Sequence, residues 1–382
     1  MKKNYTLPGS KRLTPKETLE HLAKVASVEE RQDFYGGGKL IADFENEMAT
    51  LLGHEAAVFM PSGTMAQQIA LKIYFDQNDS KPLGFHPLSH LEIHEQGGYE
   101  KLHSMSSILI GEPHRVITKP DLIKKDLSAL LYELPQREIG GVLPTWSELR
   151  EVLAHCKEQE IPVHLDGARL WECTSYYNRP LDEISSEFDS VYVSFYKTLN
   201  GLPGSILTGS SEFIKKSKVW LRRHGGNLFT QFPNIISARS AIQDTLPKVP
   251  EYCARAIEVA KVINSFEGIC TYPEVPHTNM FHVLFKEAAE VINPRLKELD
   301  VKHGFYVFHP TSKNEYLDDN FQSKTEVSIC DHALHFPDEE LAKSLKILLS
   351  KQPPFAPLRS GPKAASKPSS RKKIPINDNK TL

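Results

Sequence analysis

The stretch Val191–Gly209, VYVSFYKTLNGLPGSILTG, decides the fold class. Val191, Tyr192, Val193 and Phe195 form an apolar run of the length and composition of a buried strand. The run delivers one ammonium group, Lys197, and breaks into a glycine-bearing turn before a second apolar run, GSILTG. Desolvating a lysine costs free energy unless a charge partner or a change in its chemistry compensates. The rest of the chain has to supply that compensation.

Strand-like and helical patterns alternate around this stretch. EAAVFM, YELP and IPVHLDGA read as strands. Helical spacing of apolar residues appears over 14–26, over the segment holding Leu40, Phe44, Met48 and Leu51, and over 65–75, 146–158 and 212–223. Such alternation predicts an α/β domain with a mainly parallel sheet covered by helices. Beyond Pro247 the texture changes. A helix over 252–265, a strand TNMFHVLF, a helix over 287–299 and strand candidates YVFHP and EVSICDHAL predict a smaller α+β domain. The expected divisions are an N-terminal segment 1–30 packing on a large domain 31–247, a small domain 248–350, and a disordered basic tail 351–382 rich in Pro, Ser and Lys.

Composition narrows the function classes. Forty-six Lys and Arg against 48 Asp and Glu leave a net charge of −2, which argues against nucleic acid or an anionic membrane as the partner. No apolar run reaches the about 18 residues that span a bilayer, and the N-terminus lacks the apolar core of a secretory signal. Five scattered cysteines with no CxxC pair fit reduced thiols in a cytoplasmic protein. His86, His90 and His94 recur at helical spacing, but Pro87 breaks that helix and no Cys or carboxylate cluster completes a site, so no metal is expected. GGGKL at Gly36–Leu40 lacks the frame of a nucleotide-binding P-loop.

Three features, Lys197 among them, converge on one chemistry. In HLDGARL, Asp166 closes a strand just before Gly167 turns the chain. Ligands of open α/β sheets bind at the carboxyl ends of strands, so Asp166 and Lys197 share a rim. They form either a plain ion pair there or two contacts to one cofactor. In PSGTM, Pro61–Met65, small residues open a helix whose free N–H groups and dipole suit a phosphate, although such starts also serve as simple caps. Lys197 suits an imine, since desolvation and a nearby cation depress its pKa. Together the three point to pyridoxal 5'-phosphate (PLP): aldehyde on lysine, pyridine nitrogen on aspartate, phosphate on a helix start.

The chain resembles the threonine aldolase / aromatic amino acid β-eliminating lyase family of fold type I PLP enzymes. The resemblance spans roughly Asp33 to Ser240 and rests on FYGGGKLIADFENEMATLLGHEAAVFMPSGTMAQQIAL, HLDGARL, DSVYVSFYKTLNGLPGSILTG and RRHGGN. It implies a PLP-dependent transferase-like large domain with a small C-terminal domain, in a homodimer or homotetramer with shared active sites. It implies Lys197 as the imine-forming lysine and Asp166 as the partner of the pyridine nitrogen. Arg169 would bind the substrate carboxylate and the phenolic oxygen of the cofactor. Ser62, Gly63, Thr64 and Met65 correspond to the phosphate cup, and His90 to a histidine stacked on the pyridine ring. Ser10 and Tyr35 correspond to residues near the substrate, Tyr35 from a neighbouring subunit.

Departures from the family pattern bear on substrate. Where aldolases of this type carry Thr-His after Glu-Asn, this chain reads YELPQREIGG, so the second histidine is missing and Gln136 and Arg137 stand there, Arg137 as a candidate substrate contact. GGNLFTQ replaces GGGMRQ, so an arginine is lost near Phe229, and Ser328 stands where a small-domain arginine is expected. The expected activity is cleavage of the Cα–Cβ bond of a β-hydroxy-α-amino acid to glycine and an aldehyde, with His90 as base or relay. The alternatives are β-elimination from a β-substituted amino acid, or a PLP-binding homologue with altered catalysis.

Overall fold

The computed structural model describes residues 4–350, so the expected tail 351–382 lies outside the described residues. Its strands in the first half are β1 (Tyr5–Thr6), β2 (Ala56–Met60), β3 (Leu83–Phe85), β4 (Ser107–Leu109), β5 (Ala129–Glu133), β6 (Val163–Asp166), β7 (Ser190–Ser194) and β8 (Ser205–Gly209). The second half adds β9 (Ile269–Tyr272), β10 (Met280–Phe285), β11 (Phe305–Tyr306), β12 (Ser312–Lys313) and β13 (Ser323–Ser328).

The largest sheet has the order β2-β8-β7-β6-β5-β3-β4. Only β8 runs against its neighbours, pairing antiparallel with both β2 and β7. Every residue of β7 and β8 is buried, as expected where helices cover both faces. The covering helices Pro15–Val25, Lys39–Leu51, Gly63–Gln77, Trp146–Glu158 and Ser211–Arg223 match the apolar spacing of the sequence. Thr145 begins one of them with a capping box, accepting from the Glu148 amide while Glu148 reaches back to the Thr145 amide.

The C-terminal part builds a second, antiparallel sheet in the order β12-β13-β10-β9. β1 pairs in parallel with β11, Phe305–Tyr306, so of the YVFHP candidate only Tyr306 lies in a strand. EVSICDHAL also shortens. Its pairing with β10 ends at Met280↔Ser328, and past that point the chain turns into a short helix, Asp331–Leu334. The strands β3, β4 and β9 went unread because three or four residues are too few to display a period.

Because β2 is parallel to β7 through β8, six strands end on one rim of the large sheet, and five of them lead into residues of the site. After β2 comes Ser62; after β3, His90; after β5, Arg137; after β6, Arg169; after β7, Lys197. That convergence makes the site.

Candidate active site

Lys197 sits three residues beyond β7 in a tight turn. The Gly201 amide donates to the Phe195 carbonyl at 2.8 Å and the Asn200 amide to the Lys197 carbonyl at 2.9 Å. Below the turn, Phe195 stacks on Phe59 at 6.2 Å, and Trp171 Nε1 donates to the Ser194 carbonyl at 2.9 Å. The turn is therefore held by core packing, and Lys197 is half-buried above it. Its Nζ makes no hydrogen bond or ion pair with the described residues. Burial, and next the Arg169 guanidinium, hold the amine below its ordinary pKa.

His90, Glu133, Arg137, Asp166, Arg169 and Lys197 line one cleft with Leu134, Pro135 and Ala168. Asp166 is 2% exposed, and its Oδ1 accepts from the Ala168 amide at 3.0 Å. Its Oδ2 has no hydrogen-bond partner among the described residues. Lys197 and Asp166 are not ion-paired, so the plain reading of two charges neutralising each other does not describe this rim.

His90 is fixed from behind. Its Nδ1 donates to Glu95 Oε1 at 3.1 Å, and the other oxygen of Glu95 accepts from Gln68 Nε2 at 3.1 Å. Holding Nδ1 in this way sets the tautomer and leaves Nε2 for other work. His86, by contrast, is buried and occupied with backbone: Nε2 contacts the Arg115 carbonyl at 2.9 Å and Nδ1 accepts from the Leu88 amide. No group of three or more His, Cys, Asp or Glu side chains is placed to hold a metal ion among the described residues.

The PSGTM segment opens the helix Gly63–Gln77. Ser62 acts as an N-cap, its Oγ accepting from the Met65 amide at 3.3 Å. The Gly63 and Thr64 amides lie in the first turn, where a helix offers no carbonyl four residues back. A methyl group on Gly63 would fall 1.9 Å from Tyr192 Oη, so only glycine fits between this helix start and β7. Ser10 Oγ accepts from the Asp331 amide at 3.4 Å, and Tyr35 is 60% exposed; neither borders the cleft.

Four carboxylates escaped the sequence reading. Glu133 ends β5 opposite Asp166 in the register. Burial first, and Asp166 second, raise its pKa, while its oxygens accept from the Arg137 amide and Gln136 Nε2. Glu95 orients His90 as described. Glu172 is fully buried, accepts from Thr198 Oγ1, and leaves Oε2 unpartnered; burial pushes its pKa up to about 7. Glu326 comes from β13, pairing with Arg137 Nε at 2.8 Å and with Arg169 Nη2 at 3.7 Å. Glu133 was within reach, as the last residue of a strand beside Asp166. Nothing local marks Glu326.

The beta-eliminating lyase family model matches residues 15–288. The chain belongs to the beta-eliminating lyase family. A candidate L-allo-threonine aldolase from Listeria monocytogenes EGD-E is 40% identical with a TM-score of 0.84, covering 90% of this chain and 94% of that one. A candidate aromatic amino acid beta-eliminating lyase/threonine aldolase from Exiguobacterium is 38% identical with a TM-score of 0.85, covering 90% and 96%. Aldolase vrtJ of Penicillium aethiopicum is 30% identical over 274 residues, 69% of this chain and 70% of that protein. The family member described here has the fold of the fold type I PLP enzymes.

Its residues fit that cofactor. A free carboxylate oxygen, an unpaired lysine and a helix start with free amides are the three contacts PLP requires, and all stand at or just past strand ends that share one rim. No helix among the described residues is long and apolar enough to cross a membrane.

Proposed function

We propose that this lyase uses PLP to cleave the Cα–Cβ bond of a β-hydroxy-α-amino acid, giving glycine and an aldehyde. The observation that carries the reading is the convergence of Lys197, Asp166, Arg169 and His90 on one cleft from three strand ends. The likeness to proteins described as threonine aldolases supports the substrate class.

Lys197 would hold the cofactor aldehyde, Asp166 the pyridine nitrogen, and Ser62, Gly63, Thr64 and Met65 the phosphate. His90 would cover the ring face, and Arg169 would reach the phenolic oxygen. When bound, PLP supplies an electron sink for the carbanion left at the substrate Cα. Arg169 binds the substrate carboxylate, with Arg137 on the same cleft. His90, with Nδ1 committed to Glu95, takes the proton of the β-hydroxyl on Nε2. The depressed pKa of Lys197 keeps more of its amine neutral, ready to accept or return a proton near the Cα.

The same reading covers the layout: a cofactor domain 31–247, a small domain 248–350, and a homo-oligomer with Ser10 and Tyr35 near its shared sites, working in the cytoplasm. Phe34, Tyr35 and Phe229 support the oligomer, being more than half exposed, with Phe229 in edge contact with each of the other two.

The test is a purified protein and a panel of β-hydroxy and β-substituted amino acids, scored for glycine, aldehyde, keto acid and ammonia. Yellow cofactor absorbance, lost in Lys197→Ala, together with glycine and aldehyde supports the reading. A colourless protein that PLP cannot reconstitute overturns it, and keto acid with ammonia assigns elimination instead.

A further inference from the structure

We infer that Arg137, aimed by Glu326 from the second sheet, is the second guanidinium that receives the substrate's α-carboxylate. The inference rests on the proposed amino acid chemistry at Lys197 and goes beyond it by assigning the charge arrangement that selects the free carboxylate.

The turn Gln136–Gly141 leaves β5 and wedges against the second sheet. A methyl group on Gly140 would meet the Tyr272 carbonyl oxygen at 2.1 Å, and one on Gly141 would meet the Met280 carbonyl oxygen at 2.9 Å. This contact brings Arg137 beside β13. Its Nε faces Glu326 Oε2 at 2.8 Å and its Nη1 donates to Glu138 Oε1 at 2.9 Å. Nη2 has no partner among the described residues, and the side chain borders the cleft with Lys197.

Glu326 is also the only carboxylate among the described residues ion-paired to Arg169, and that contact is the looser one at 3.7 Å. A carboxylate aimed at Arg169 alone would neutralise the group meant to receive the substrate. Arg137 draws Glu326 to its own Nε and so leaves the fork of Arg169 open. The two guanidiniums then face two carboxylates, Glu326 and Glu138, with Nη2 of Arg137 and the fork of Arg169 left open on the cleft beside the lysine. One carboxylate on the substrate Cα fits those open edges, in the charge-assisted geometry that planar guanidinium groups favour. No arginine occurs in β13 itself, so the second guanidinium comes from the β5 turn.

The experiment measures binding of glycine and of glycinamide to the PLP-loaded protein by calorimetry. Cofactor absorbance is recorded for each variant as the check on folding. Arg137→Gln is expected to weaken glycine binding on the order of tenfold to a hundredfold, and to leave glycinamide within about twofold. Arg137→Lys keeps the charge without the fork and falls between native and Arg137→Gln. Glu326→Ala removes a negative charge from beside the site, yet is expected to weaken glycine binding because Arg137 loses its aim. Glu326→Gln keeps an acceptor for Nε and stays near native. Tighter glycine binding in Glu326→Ala, or equal losses for glycine and glycinamide in both Arg137 variants, overturns the inference while leaving the proposed function standing. A native protein that takes up PLP but binds no amino acid overturns both.

Discussion

Glu172 offers a quantitative test of the rim's electrostatics. It is fully buried beneath the lysine turn, with Thr198 donating to one oxygen and the other unpartnered. Burial raises its pKa from an ordinary 4.5 to about 7, against the opposing pull of Arg169. A carboxyl with a raised pKa stabilises the fold below its unfolded value, and that contribution is lost as pH rises towards its folded value. The loss therefore runs from about pH 4.5 and is complete above about pH 7. At roughly 1.4 kcal/mol per unit, the gap amounts to about 3 kcal/mol. Glu172→Gln keeps the oxygen that accepts from Thr198 and removes the ionisation. Relative to the native protein it should gain about 3 kcal/mol between pH 4.5 and pH 8.5. Urea unfolding of both PLP-loaded proteins at the two pH values reads this directly, and the difference between them cancels every other titrating group. Parallel pH dependences in the two proteins would refute the assignment of a buried, proton-holding Glu172.

Other outcomes follow from the same geometry. Gly140→Ala places a methyl group 2.1 Å from the Tyr272 oxygen at a backbone φ of +81°, and should cost more than about 2 kcal/mol in urea unfolding. Unchanged stability would mean that the β5 turn does not bear on the second sheet. Gly63→Ala, with its methyl group 1.9 Å from Tyr192 Oη, should weaken PLP uptake measured by absorbance titration. Glu95→Gln leaves His90 without its carboxylate acceptor and should lower kcat by roughly tenfold with little change in KM. A rise in KM alone would place His90 in binding and not in proton transfer.

The sequence by itself determined most of the large sheet and the identity of its chemical groups. Strands such as β7 are continuous apolar runs, and helices such as Trp146–Glu158 carry both period and capping box, so local pattern was enough. Lys197 and Asp166 were legible because charges that end apolar strands are costly without a purpose. The tertiary structure alone decided what surrounds them. Glu326 is an ordinary surface-like residue in SKTEVS until β13 carries it to Arg137 and Arg169. Glu95 acts only through His90, and Glu172 becomes a buried acid only once the core closes around it. Local pattern records which face of an element is apolar, whereas the pairing of charges across two sheets depends on distances that exist only after both have folded.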